Sequence, residues 1–192
     1  RTVAREVLGR LQQRGIVKKD QRAHWYVPGL GPEYVSELYE MRWTLEPVAL
    51  LNAAGKLPPG LPRACLQNVE NAAANAAGID GALLDSLEEE LHCSILDHCD
   101  NATMMEAVKM CQSLLTAHRY LYRAAPQVYE TEPFLPEHQL VLAALVRGDP
   151  AEAAKQLEHH LRASRERAIY RINYVRKVVV PDPLPYLRQL TS

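Results

Sequence analysis

The chain has 192 residues, 47% of them hydrophobic and 23% charged, with a formal net charge of −1. That length suits one domain and part of another, with enough apolar material for a real core. The neutral total argues against a protein held to nucleic acid by bulk charge, and no apolar run approaches the roughly 18–20 residues of a membrane span. The average nonetheless hides an asymmetry: residues 1–27 hold seven basic and two acidic side chains, a balance of +5, and the remaining 165 residues carry −6. A short basic piece ahead of a longer acidic one points to two parts with different partners.

Taken in order, the apolar spacing predicts helices over 1–14, 33–53, 60–77, 80–99, 102–124, 135–147 and 150–177. Gly15 follows the first as a C-cap. Ile16–Lys19 and His24–Val27 flank Asp20–Ala23 and read as a two-stranded ribbon. Residues 28–32, Pro-Gly-Leu-Gly-Pro, form a linker by composition. There is no Pro between Arg63 and Ala125, and neither Gly nor Pro between Ala151 and Val180, as long helices require. Asn101 is placed to cap the fifth helix, and Gly148-Asp149-Pro150 to end the sixth and start the seventh. The Pro-rich residues 179–192 read as an extended tail. Cys65, Cys93, Cys99 and Cys111 show no CxxC spacing and read as reduced, buried thiols of an intracellular, cytoplasmic protein without a signal peptide. With one Phe and nine Tyr, a base-stacking RNA or single-strand reader is not expected.

A basic helix followed at once by a two-stranded ribbon is how a winged helix-turn-helix ends, with the helix in the major groove and the ribbon along the neighbouring backbone. Arg1, Thr2 and Arg5 lie in the first turn and a half, where side chains reach a groove. Arg can read guanine in bidentate fashion, while Thr and the helix N-terminus suit phosphates. Val7, Leu8 and Leu11 are expected on the inward face. The run from Arg1-Thr-Val-Ala-Arg-Glu to Gly15-Ile-Val resembles the recognition helix and first wing strand of GntR-family bacterial transcription regulators. The resemblance implies DNA contacts at Arg1, Thr2 and Arg5, with Arg22 as a wing contact on a tip that lacks the family's glycine. It also implies that residues 1–27 are the C-terminal part of a DNA-binding domain whose earlier helices lie outside this chain.

The acidic part, residues 33–178, holds a histidine constellation. Glu88 and His92 are i,i+4 neighbours and face one point. His138 lies on the apolar side of its helix with Leu135, Val141, Leu142 and Leu145. His160 shares a face with Ala153, Leu157, Ser164 and Ala168, while His159 is turned away. Three histidines and a carboxylate from three helices suit a borderline divalent metal, zinc foremost with nickel or iron as alternatives; each histidine alone also reads as a hydrogen-bonded core residue. His24, His98, His118 and His159 take no assigned role.

Leu38-Tyr-Glu-Met-Arg-Trp-Thr-Leu-Glu-Pro47 is similar to the opening helix of the FCD ligand-binding domain in the FadR-type branch of the same regulators. Glu88–His92 resembles that domain's D-x-x-F-H motif, with Glu in place of Asp. Asn101, Glu137-His138 and Gly148-Asp149 followed by His160 match its later motifs in order and spacing. The resemblance implies metal ligands at Glu88, His92, His138 and His160, and a carboxylate effector reached by Arg42. An ion pair of Arg42 with Glu46 on the helix surface is the competing reading. The expected fold is mainly α: a truncated winged helix-turn-helix, then a bundle of about six helices. The expected function is a non-enzymatic, metabolite-responsive repressor that pairs as a homodimer and binds double-stranded operator DNA and a small organic acid. An all-helical metal-dependent hydrolase or oxygenase is the alternative, and a structural metal, or none, is a third.

Overall fold

The computed structural model describes residues 2–13, 15–26, 31–75, 80–121 and 133–178. The elements are α1 (Thr2–Gln13), β1 (Lys18–Lys19), β2 (Trp25–Tyr26), α2 (Pro32–Ala54), α3 (Leu61–Ala74), α4 (Gly81–Glu89), a π turn (Glu90–Ile95), a 3-10 turn (Leu96–Cys99), α5 (Ala102–Leu121), α6 (Phe134–Val146) and α7 (Pro150–Val178). The fold is mainly α, as expected. Arg1, most of the linker and the C-terminal tail lie outside the described residues, as do the last residues expected in the third and fifth helices.

α1 ends where Gly15 takes φ 72°, with Gly15 N–H on Gln12 and Ile16 N–H on Leu11, each at 2.9 Å. That double bond to the last carbonyls is the glycine stop anticipated at this position. The ribbon is antiparallel and short, pairing Lys18 with Tyr26 and Lys19 with Trp25. No glycine forms its tip. Instead Asp20 accepts from the backbone of Arg22 at 2.9 Å and His24 at 2.8 Å, and Ala23 carries the positive φ. On α1, Leu8 and Leu11 are half-buried. Val7, expected inward, is 50% exposed, because α1 makes no extensive helix contact among the described residues.

Helices α2 to α7 share one core. α2 lies along α7, and α6 packs between α3 and α7. Leu50, Leu87, Leu91, Leu114, Leu142, Leu157 and Leu161 are all nearly inaccessible to solvent. The caps read from the sequence are present: Asn101 Oδ1 accepts from Met104 N–H and Asp149 Oδ1 from Glu152 N–H, each at 3.0 Å. The four cysteines are free and buried. Among the described residues no helix is long and apolar enough to cross a membrane.

One expected element is corrected. Residues 80–99 do not form a single α-helix but pass from α4 into the π turn and then the 3-10 turn. Leu87, Leu91, Ile95 and Cys99 are buried at intervals of four residues. The i→i+5 winding changes the phase of the chain after Glu89, and Leu91, His92, Cys93 and Ile95 are all buried within it. His92 sits inside this π turn.

Candidate metal centre

Four side chains from separate elements meet in the bundle interior. Glu88 comes from the end of α4, His92 from the π turn, His138 from α6 and His160 from α7. Their ligand atoms all lie within 4.8 Å of one another. The Nε2 atoms of His92 and His160 are 3.2 Å apart, and those of His138 and His160 are 3.3 Å apart. Two nitrogens bound tetrahedrally to zinc at their usual bond length stand about 3.3 Å apart, which is the spacing found. The Glu88 carboxylate stands slightly wider, 3.9 Å from His92 and 3.7 Å from His138.

The outer nitrogens explain why the inner ones face one another. His92 Nδ1 lies 2.5 Å from Glu46 Oε2, and His160 Nδ1 lies 2.7 Å from Glu137 Oε2. Burial alone would raise both carboxyls. For Glu46 the charges of Arg42 and His92 overcome it, and for Glu137 the bonds from His160 and Arg167 do. Each is held down to about 2. A carboxylate only accepts, so each Nδ1 donates to its glutamate and each Nε2 is left facing the other as the nitrogen that a cation would take. A divalent ion therefore fits this donor set, and Glu88, His92, His138 and His160 are the residues that could hold it. Burial keeps His138 neutral, well below its ordinary range, and also lowers His160 against the pull of Glu137. Glu88 is pushed up by burial but ends lowered by His92, His160 and Arg42. His138 Nδ1 has no hydrogen-bond partner among the described residues.

Arg42 is 2% exposed and paired through Nε with Glu46, so the i,i+4 partner proposed from sequence is right but its setting is corrected: the pair is buried. It is interior because α2 turns that face toward α7 and the π turn. Arg167 does the same on the other side, gripping Glu137 with two bonds of 2.7 Å. Two parallel relays result, Arg42–Glu46–His92 and Arg167–Glu137–His160. Sequence reading gave no role to Arg167, although it lies seven residues, or two turns, beyond His160 on one helix face. Gln112 was also missed; its Nε2 donates to Glu88 Oε2 at 3.2 Å.

Beside the cluster is a cavity of about 90 Å³, with Arg42, Glu88, Gln112, Thr116, Phe134 and Arg167 among its lining residues. His118 also lines it, and burial pushes that imidazole down to about 4. The DNA-facing candidates lie elsewhere. Arg5 is exposed on α1 and Arg22 at the ribbon tip, while Thr2 starts α1. Arg1 is outside the described residues.

A helix-plus-ribbon fragment joined to a helical bundle with a buried cluster of three histidines and a glutamate defines the class of fold: a winged-helix fragment followed by an all-helical domain. Residues 37–163 match the FCD domain, and the chain belongs to that family, as its likeness to FadR-type GntR regulators implied. It is 21% identical over 174 residues to the "Probable HTH-type transcriptional regulator LgoR" of Escherichia coli (strain K12), which covers 89% of this chain and 57% of that protein. In structure it is similar to E. coli McbR/YncC, with a TM-score of 0.71 at 19% identity over 86% of this chain and 83% of that one. A GntR-family transcriptional regulator from Pseudomonas syringae pv. tomato is similar at a TM-score of 0.57 and 17% identity, over 91% of this chain and 71% of that one.

Proposed function

We propose that this chain is the sensor, with part of the DNA-binding module, of a metabolite-responsive transcription regulator that acts as a dimeric repressor. The observation that carries this reading is the convergence of Glu88, His92, His138 and His160 within 4.8 Å beside a cavity lined by Arg42. Those four residues hold a divalent metal, zinc foremost. Arg42 binds the carboxylate of a small organic acid, for which a planar guanidinium is the fitting partner. A bound ion supplies open coordination positions for the acid's oxygens. The regulators to which the chain is similar support the DNA-binding half, with Arg1, Thr2, Arg5 and Arg22 toward operator DNA.

α5 is positioned to carry the signal. Gln112 on this helix touches Glu88, and the methyls of Leu114, half a turn further on, lie against Gly15 at the helix–ribbon junction. An effector acts only through different affinities for the two states of the regulator, and this helix touches both ends of that difference. The hydrolase alternative is disfavoured because the carboxylates behind His92 and His160, Glu46 and Glu137, are each clamped between an arginine and a histidine. Neither is available as a base for water.

The test uses the native protein and the DNA upstream of its own coding region. Zinc and a carboxylate together are expected to shift operator affinity, with the shift lost in His138→Ala and Arg42→Ala. Sequence-specific binding that survives Arg1→Ala and Arg5→Ala would refute the recognition-helix assignment. Protein purified without divalent metal, and indifferent to chelator in thermal unfolding, would refute the metal.

A further inference from the structure

α2 is apolar on two sides. Toward the bundle it buries Leu38, Ala49, Leu50 and Ala53, while Met41, Val48 and Leu51 are 38%, 46% and 48% exposed. A helix that only roofs a core keeps its outer face polar, whereas one that is apolar all round is covered on both sides. The exposed residues Glu37, Met41, Thr44, Val48, Leu51 and Gly55 follow one another in alternate steps of four and three. That is the spacing of a seam along which two helices pair. Thr44 suits burial there, because its hydroxyl already donates to the Glu40 carbonyl at 2.8 Å.

The stripe is also symmetric about Glu46. Laid antiparallel on a second copy, Met41 meets Leu51, Thr44 meets Val48 and Glu37 meets Gly55, as a two-fold interface requires. Charge selects the same direction. Glu33, Glu37 and Glu40 are exposed toward the N-terminal end of α2, and Lys56 stands just past its C-terminal end, 2.8 Å from Asp100. A parallel pair would set the three glutamates against their own counterparts. The antiparallel pair separates them and puts Glu37 beside Gly55 and Lys56 of the second copy. Among the described residues nothing lies within 4 Å of where a Cβ on Gly55 would stand, so that end is open to approach.

We propose that the outer face of α2 is the dimer interface, pairing two copies of this chain antiparallel with Thr44 and Val48 at the centre. The proposal rests on the dimeric reading above and names the surface that makes it. Arg42 and Glu46 are buried on the same turns of this helix. The helix that orients His92 is therefore also the one that meets the second copy.

The experiment is sedimentation velocity and thiol bridging of the full chain. The parent is expected to sediment as a dimer. Val48→Asp sets two carboxylates against each other at the centre of the seam and is expected to weaken pairing at least about hundredfold, with helical content unchanged. In the double variant Glu37→Cys, Gly55→Cys the two thiols stand about 27 Å apart on one helix but meet across the antiparallel seam. A short bismaleimide is expected to bridge this variant into covalent dimers and neither single variant, and the native cysteines are all buried. The bridging result decides the matter if Val48→Asp does not fold. Undiminished pairing of a folded Val48→Asp chain, with no bridge in the double variant, overturns the α2 seam and leaves the dimeric reading standing. Loss of pairing in Met110→Asp instead would move the interface to the exposed face of α5. Bridging of Glu37→Cys alone overturns the antiparallel direction. A parent chain that is monomeric at every concentration measured overturns both the seam and the dimer.

Discussion

Replacing Glu46 by Gln removes one negative charge and almost no volume from the middle of the Arg42–Glu46–His92 relay. Glu46 is fully buried, and its carboxyl is held down from an ordinary 4.5 to about 2. Burial opposes that shift; the charges of Arg42 and His92 and their hydrogen bonds overcome it. A group whose folded pKa is depressed adds stability that is present above about pH 4.5 and is lost as pH falls toward 2. Breaking a buried pair from one side costs about 3–5 kcal/mol, and the lower end, about 3 kcal/mol, is taken here. At about 2–4 °C per kcal/mol for a domain of this size, Glu46→Gln is expected to lower Tm by about 6–12 °C. The measurement is thermal unfolding followed by circular dichroism in chelator, so that metal binding does not enter. The difference between parent and variant is expected to narrow as pH falls below 4.5. Zinc affinity is expected to drop about 10–100-fold as well, because Glu46 orients His92 and raises its basicity. A Tm within about 2 °C of the parent, together with unchanged zinc affinity, would refute the relay.

Zinc itself is expected to raise Tm, with stabilisation growing as the logarithm of free metal above its Kd. His138→Ala is expected to abolish that rise, and an undiminished rise would place the ion elsewhere. His118, neutral when folded and titrating near 4, loses stability as pH falls below the unfolded value of 6.5, because only the unfolded chain takes up its proton there. Relative to His118→Gln, the parent is therefore expected to weaken by at most about 1.4 kcal/mol per pH unit between 6.5 and 4; parallel stability profiles of the two chains would refute it. Asn101→Ala removes the bond to Met104 N–H that starts α5 and is expected to cost about 1 kcal/mol in chemical denaturation. Arg5→Ala, on an exposed position of α1, is expected to weaken operator binding while leaving Tm and zinc affinity as they are.

The sequence by itself determined most of the helices, their caps and much of the face each turns inward, with Val7 and the helix expected over 80–99 as exceptions. Those properties are local: Gly15, Asn101 and Gly148-Asp149-Pro150 act on backbone groups within a few residues. The inward placement of His138 and His160 follows from apolar spacing on each helix separately, and that of His92 beside Glu88 from their i,i+4 spacing. It could not follow that the three meet, since residues 88, 92, 138 and 160 are brought together by how α4, the π turn, α6 and α7 pack. Arg42 and Glu46 show the difference most clearly. Their i,i+4 pairing is written in the sequence, but only the packing of α2 decides that the pair is interior and that Glu46 reaches His92, forty-six residues away. The π turn was likewise hidden, because buried residues at intervals of four are compatible with an α-helix until a core must be filled. Cavity size is the extreme case: it depends on five helices at once, and no segment of the chain carries it alone.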